Sequence, residues 1–365
     1  MTVTIYHEQD GDITPLKDKT IAVIGFGNQA KAQALNMRDS GLQVIIGAKR
    51  EEYKKRAQND GFETYSISES VQKGDFIFLL VSDEVMKNVF NNSIKPHLNP
   101  QKTLVVSTGY YFVYNILDYS NEVDILLISP KGLGEMIRKQ FLNEEGFFSF
   151  VSVYQDQSGN AQKNLLGLTK ALGGLSKAAL EMSAKEQVVL KLFAEQAFMP
   201  AFNLVMMRAI RNLVEAGYTP EAIFIELILS EEMIFTVDKM IEVGLVKQMN
   251  FHSQTSQYGS LSRGIKFSKV GDDLNQIQEA ILENIENGTL AEAWEQNKNT
   301  AKLDVMKNFA YNSDFWEVEK SVYENLDFPI YISKGDIKMP TREQLRADNE
   351  LSKLSNNYKN FFEGL

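Results

Sequence analysis

The sequence predicts an α/β protein in which a doubly wound parallel sheet is followed by an all-helical domain, and three observations predict it. Apolar, strand-like runs alternate with segments of helical length from residue 21 to about residue 150. The first run, 21–24, ends in Gly25-Phe26-Gly27-Asn28-Gln29-Ala30 and passes straight into the helical pattern Lys31-Ala32-Gln33-Ala34-Leu35. Beyond Gly173-Gly174 the texture changes to long helical patterns rich in Met, Leu and Phe, with no strand-like alternation between them. Parallel strands buried on both faces read as such continuous apolar runs, and a run of helices after them marks a second domain.

The expected strands are 21–24, 43–46, 76–81, 103–106, 124–129 and 148–154, and the expected later helices are 183–216, 220–244, 272–287 and 290–310. Domain boundaries follow at 1–181 for the sheet domain, 182–326 for the helical domain and 327–365 for a C-terminal extension. The extension contains Pro329 and Pro340 and reads as an extended stretch followed by one amphipathic helix.

The G-x-G-x-x-A turn supplies the first functional expectation. Gly25 makes the tight turn, Gly27 lets the backbone approach a pyrophosphate, and Ala30 keeps the helix close to the sheet. The amides around Asn28, Gln29 and Ala30 at the helix N-terminus favour the phosphates. The alternative is an ordinary strand-to-helix turn. The second strand ends in Ile46-Gly47-Ala48-Lys49-Arg50. Basic residues at this place accept an adenosine 2′-phosphate, so NADPH is preferred, with NADH possible because Glu51 and Glu52 follow and could bind ribose hydroxyls. Lys49 to Lys55 could also be a solvated helix start.

Composition removes several function classes. The 38 basic and 48 acidic side chains leave a net charge of −10, so no broad basic field attracts nucleic acid or an anionic membrane. There is no cysteine, which excludes disulfides, thiolate metal sites and a cysteine nucleophile. The three histidines, His7, His97 and His252, have no metal-ligand spacing. The N-terminus lacks the pattern of a signal peptide and no apolar run approaches a membrane span, so a cytoplasmic protein is expected.

Further strings carry a family resemblance. They are Ala34-Leu35-Asn36-Met37-Arg38-Asp39-Ser40-Gly41, Ser82-Asp83-Glu84-Val85, Ser129-Pro130-Lys131-Gly132-Leu133-Gly134, Phe193-Ala194-Glu195-Gln196-Ala197, Val214-Glu215-Ala216-Gly217-Tyr218 and Ser253-Gln254-Thr255-Ser256-Gln257-Tyr258-Gly259. In order and spacing the chain resembles the short form of ketol-acid reductoisomerase from about residue 18 to 315. The resemblance implies a Rossmann domain, a knotted helical domain, a homodimer, NADPH and two Mg²⁺ ions. The family's reaction is an alkyl migration in a 2-hydroxy-2-alkyl-3-keto acid, followed by hydride transfer to the resulting 2-keto acid.

Carried over residue by residue, the resemblance places Ser82, Asp83 and Gly109 beside the cofactor, Lys131 at the site lysine and Ser253 at the substrate carboxylate. It also exposes departures. The family's Asp four residues before Glu195 is Lys191 here, and a fixed cation there repels a nearby divalent ion by ~8 kcal/mol at 4 Å and an effective dielectric of 20. Glu226 matches the family's first partner-helix Glu, but Ser230 stands four residues on. Counted backwards, Glu232 matches the second Glu, so this helix carries about two extra residues. The family's His is Thr108, which can donate a hydrogen bond but cannot carry a proton near neutral pH. Mg²⁺ binding in the family's manner is therefore not expected.

These readings leave three functions open: a reductase of a carbonyl or imine in a small carboxylate compound without the Mg²⁺-dependent migration, a reductoisomerase with a rebuilt metal site, and a non-catalytic dinucleotide-binding regulator. In the first, Lys131, Lys191, Glu195 and Thr108 are the catalytic set, and Ser253, Glu226 and Glu232 line the substrate. The bland alternatives are a surface ion pair for Lys191 and Glu195 and a solvated helix face for Glu226 and Glu232.

Overall fold

The computed structural model describes residues 3–297 and 300–327. Nine strands form one sheet: β1 (Ile5–Tyr6), β2 (Thr20–Ile24), β3 (Gln43–Gly47), β4 (Glu63–Tyr65), β5 (Phe76–Leu79), β6 (Thr103–Val106), β7 (Asp124–Pro130), β8 (Phe148–Gln155) and β9 (Ala178–Glu181), in the order β1-β9-β8-β7-β6-β5-β2-β3-β4. The connecting helices are α1 (Asn28–Asp39), α2 (Glu51–Asn59), α3 (Ile67–Lys73), α4 (Asp83–Val89), α5 (Tyr110–Val113), α6 (Gly134–Leu142) and α7 (Ala161–Leu172). Beyond them lie α8 (Ala184–Phe193), α9 (Met199–Glu215), α10 (Pro220–Phe224), α11 (Glu232–Val243), α12 (Gln254–Gly264), α13 (Ser268–Glu286), α14 (Thr289–Asn297), α15 (Thr300–Tyr311) and α16 (Asp314–Asn325).

The six strands from β4 to β7 are mutually parallel, β8 runs antiparallel to β7, and β9 returns parallel to β8. Alternation along β2 explains the two layers. Ile21 and Val23 face a core shared with α1 and α7, through Ala30, Ala34, Leu165 and Leu168. Ala22 and Ile24 face a second core with Ile67, Val71, Met86, Phe90 and Phe112. Because β2 sits between β3 and β5, the chain winds outward in both directions from it, and the crevice at that switch is where open α/β sheets bind ligands.

All six expected strands are present, with 76–81 ending earlier, at Leu79. Three strands were not expected: β1, β4 and β9. Each is only two to four residues long and lies at or near a sheet edge, so none carries a continuous apolar run. β1 pairs antiparallel with β9, and the Tyr6 hydroxyl donates to Glu181 at 2.6 Å. Burial first, and then this carboxylate, push the Tyr6 phenol up to about 12.

The described residues divide into two compact units, with the division between Lys191 and Leu192. The division falls ten residues beyond the boundary expected at 181, because Ala184, Gln187 and Val188 of α8 are buried within the first unit. In the second unit a small core joins Ile210, Ile223, Phe224 and Val322 of α9, α10 and α16. The expected helix 220–244 is not continuous. A π turn spans Ile225–Leu229, and Glu231 adopts φ +61° before α11 starts at Glu232. The wide turn and the break lie between Glu226 and Glu232. The helix expected at 272–287 starts earlier, at Ser268. The C-terminal extension beyond residue 327 lies outside the described residues.

The expectation that nothing approaches a membrane span needs correction. The helical segment Ala184–Glu215 is 32 residues long with mean hydropathy 1.3 over its most apolar window, enough by length and composition to cross one. Single charges such as Lys191 and Glu195 break its apolar runs and hid its length.

Candidate active site

The glycine turn lies between β2 and α1 and is fixed from both sides. Gly25 donates its amide to Gly47 at the end of β3, and Leu80 after β5 donates to Ile24. Gly25 has φ +103°, and a Cβ there would lie 2.6 Å from the Leu80 carbonyl oxygen, so both conformation and space demand glycine. Gly27 differs: a Cβ would meet nothing within 4 Å, which leaves open room over the turn. Gly27 caps α1 without any side-chain bond, and the first ladder bond runs from Lys31 to Gly27. The amides of Asn28, Gln29 and Ala30 thus precede the ladder, at the positive end of a 12-residue helix. This is a fit for a dinucleotide pyrophosphate.

Lys49 and Arg50 are exposed at the end of β3, with Arg50 at the N-cap of α2 and no side-chain cap bond. Glu51, the competing acid, ion-pairs with Lys54 at 3.0 Å. Ser82 is the N-cap of α4 and Asp83 its first residue; the Tyr111 hydroxyl donates to Asp83, joining the loop after β5 to the helix after β6.

Thr108 and Gly109 follow β6. The Thr108 hydroxyl accepts from the Tyr110 amide at 3.3 Å, closing a local turn. Gly109 is buried against α8, where a Cβ would lie 2.9 Å from both the Cβ and the carbonyl oxygen of Ala184. Lys131 follows β7. Its amide donates to Phe148 of β8 at 2.8 Å and its ammonium lies 4.5 Å from the centre of the Phe150 ring. Lys191, half-buried, sits on the last turn of α8.

Two glutamines that sequence reading missed tie these loops together. Gln187, fully buried on α8, accepts from the Gly109 amide at 3.1 Å and donates to the Ser129 hydroxyl at 3.3 Å. Gln33, also fully buried, reaches Gln29 and Ser107 at 3.3 Å each, and Gln29 donates to the Gly132 carbonyl at 2.8 Å. A polar line thus runs from the loop after β7 through the start of α1 to the loop after β6. The available signal was a glutamine beside the apolar stripe Ala30, Ala34, Met37 of α1, where a buried amide needs partners.

The second unit holds the other expected site residues, all of them exposed. Glu195 lies in a π turn, Ala194–Phe198, and Glu226 in the turn Ile225–Leu229. Glu232 opens α11, on the far side of the Glu231 break from Glu226. Ser253 is the N-cap of α12 and its hydroxyl accepts from the Ser256 amide, a structural task that its serine identity already satisfies.

Family comparison decides what this fold is. Residues 15–178 match the acetohydroxy acid isomeroreductase NADPH-binding domain, and residues 185–328 match the ketol-acid reductoisomerase C-terminal domain. The chain belongs to the ketol-acid reductoisomerase family. The ketol-acid reductoisomerase (NADP(+)) of Petrotoga mobilis is 37% identical over 294 residues, covering 80% of this chain and 88% of its own. That of Sulfurisphaera tokodaii is 36% identical over 303 residues, covering 82% and 90%.

Among solved structures, the NADH-preferring ketol-acid reductoisomerase from an uncultured archean superposes with a TM-score of 0.81 at 31% identity, covering 88% of this chain and 98% of that one. A semialdehyde dehydrogenase NAD-binding protein of Cupriavidus necator, at 17% identity and a TM-score of 0.57, shares the fold alone. As a ketol-acid reductoisomerase family member the chain is an NADP-dependent oxidoreductase of the short form, with a Rossmann sheet followed by a helical domain.

Proposed function

We propose that this family member reduces a carbonyl or imine in a small carboxylate compound with NADPH, without the Mg²⁺-dependent alkyl migration. The observation that carries the reading is Lys191, an ammonium on α8 at the place of the family's metal-binding Asp. The break at Ser230 and Glu231 adds to it. Two carboxylates four residues apart on one helix project from successive turns, but Glu226 and Glu232 are separated here by a π turn and a left-handed residue. The donor set does not fit the family's pair of Mg²⁺ ions, and no step is derived through them.

The nucleotide groups fit. The amides at Asn28, Gln29 and Ala30 would hold the pyrophosphate, Lys49 and Arg50 the 2′-phosphate, and Ser82, Asp83 and Gly109 the nicotinamide end. NADPH supplies the hydride when bound. Lys131 hydrogen-bonds the acceptor oxygen and delivers its proton as that oxygen gains charge, and Thr108 donates a further bond. Lys191, with Glu195 as counter-ion, anchors and polarises the substrate in place of a metal, and Ser253, Glu226 and Glu232 receive its polar end.

The reading includes a homodimer, on the apolar surface of the helical unit. Ile241, Val246 and Ile265 of that unit are 75–80% exposed. Faces of this kind cover one another in obligate assemblies.

A second reading, a reductoisomerase with a rebuilt metal site, is favoured by the names of the two relatives at 36–37% identity. NADPH oxidation against 2-keto acids, 2-imino acids and acetolactate, with and without Mg²⁺, decides. EDTA-insensitive turnover of a keto or imino acid is the expected result; Mg²⁺-dependent turnover of acetolactate establishes the second reading instead. Titration calorimetry tests the cofactor assignment. Lys49→Ala and Arg50→Ala each weaken NADPH binding about tenfold, or about 1.4 kcal/mol, while NADH binding stays within about twofold.

A further inference from the structure

The start of α2 carries more positive charge than the nucleotide assignment uses. Arg50 at the N-cap, Tyr53 in the first turn and Arg56 in the second follow one another at intervals of three residues, which places them along one face of the helix. Helical side chains lean toward the N-terminus of their helix, so Arg56 reaches back over Tyr53 toward the end where Arg50 stands. The half-buried Tyr53 ring packs against the core shared by β2 and α1, and both guanidinium carbons lie 5.8 Å from its centre. One anchored ring thus gathers two cations. Its face attracts each of them, while the two repel one another. A phosphate between them removes that repulsion and accepts paired N–H bonds from both planar forks. Glu51, the acid next to Arg50 in the chain, is paired instead with Lys54 at 3.0 Å.

We propose that Arg56 is a further specificity-determining residue for NADPH, and that Tyr53 is a positioning residue that holds Arg50 and Arg56 together on the adenosine 2′-phosphate. The inference rests on the reading that the end of β3 receives this phosphate through Lys49 and Arg50. It extends the subsite into the second turn of α2 and divides the work within it. Lys49 contributes a point charge, whereas the two guanidiniums fix the direction of the phosphate through paired N–H bonds. NADH presents only ribose hydroxyls there, so the two cations still face each other and Arg56 adds nothing to its binding. An aliphatic residue in place of Tyr53 fills the space but frees both arginine chains to sample their many rotamers, so the pair is assembled for a smaller fraction of the time.

The test is a double-mutant cycle read by titration calorimetry of the full-length protein with NADPH and with NADH. Arg56→Ala weakens NADPH binding about fivefold to tenfold, and by less in an Arg50→Ala background, because both guanidiniums act on one phosphate. Tyr53→Leu weakens NADPH binding about threefold, Tyr53→Phe restores it, and Tyr53→Leu adds nothing once both arginines are alanine. NADH affinity stays within about twofold in every variant, which also reports that each is folded around an intact turn. An equal loss of NADPH and NADH in Arg56→Ala or in Tyr53→Leu overturns the inference, since it places the residue outside the 2′-phosphate. Fully additive losses from Arg50→Ala and Arg56→Ala overturn the shared phosphate. Unchanged NADPH affinity in Arg56→Ala, beside the tenfold losses in Lys49→Ala and Arg50→Ala, overturns the inference and leaves the underlying assignment standing. An absence of selective loss in all three variants overturns that assignment too, which keeps the two failures apart.

Discussion

Replacing Lys191 by alanine lowers kcat/KM for EDTA-insensitive keto-acid reduction about 100-fold, roughly 2.7 kcal/mol, the usual loss when one preorganised electrostatic donor is removed from a developing oxyanion. NADPH affinity stays within about twofold, because the residues assigned to the nucleotide lie on the loops after β2, β3, β5 and β6 and not on α8. Steady-state kinetics beside a fluorescence titration of NADPH provide both numbers. Lys191→Asp gives a larger loss in EDTA, since it removes the cation and also adds a repelling charge next to a carboxylate substrate. Unchanged turnover in Lys191→Ala reduces the lysine to a surface ion-pair member on α8.

The second large effect comes from the glycine turn, where two neighbouring positions separate stability from binding. In Gly25→Ala the new side chain meets the Leu80 carbonyl at 2.6 Å while the backbone holds φ +103°. Left-handed strain of roughly 1–2 kcal/mol and overpacking of roughly 1–3 kcal/mol add, and the urea midpoint falls accordingly. Gly27→Ala faces neither cost, since its φ is −76° and its Cβ meets nothing. Its stability stays within about 0.5 kcal/mol of the parent, yet NADPH binding weakens at least tenfold because the methyl occupies the approach to the pyrophosphate. Equal unfolding midpoints for the two variants would remove the basis for assigning the turn and the approach to different glycines.

The contrast shows where the sequence could be read and where it could not. The strand-turn-helix at Gly25 was legible because a local pattern, an apolar run followed by two glycines and a small residue, has one low-energy outcome. The six expected strands were legible from their apolar or alternating runs of large side chains, even where only four residues long, as in β5 and β6. β1, β4 and β9 were not, since each is short, lies at or near a sheet edge and lacks such a run, so it is defined by its partner and not by its own sequence. Gln187 was invisible because its meaning lies in Gly109 and Ser129, 78 and 58 residues away. Phe150 looked like any strand apolar residue until the cross-strand register put it beneath Lys131. At residues 225–232 the helical periodicity carried no sign of the π turn and the Glu231 break that interrupt the expected helix 220–244.

The pairing of β1 with β9 bears on the order of events as this protein forms. The two partners are about 175 residues apart, so the edge of the sheet closes over a very long loop whose ordering is unrewarded until both ends meet. A chain leaving the ribosome at roughly 5–20 residues per second holds its first strand unpaired for some ten seconds or more before residue 178 emerges. During that interval Val3 and Ile5 are an open template, and the time at which β9 arrives sets how long a nascent chain is exposed to its neighbours.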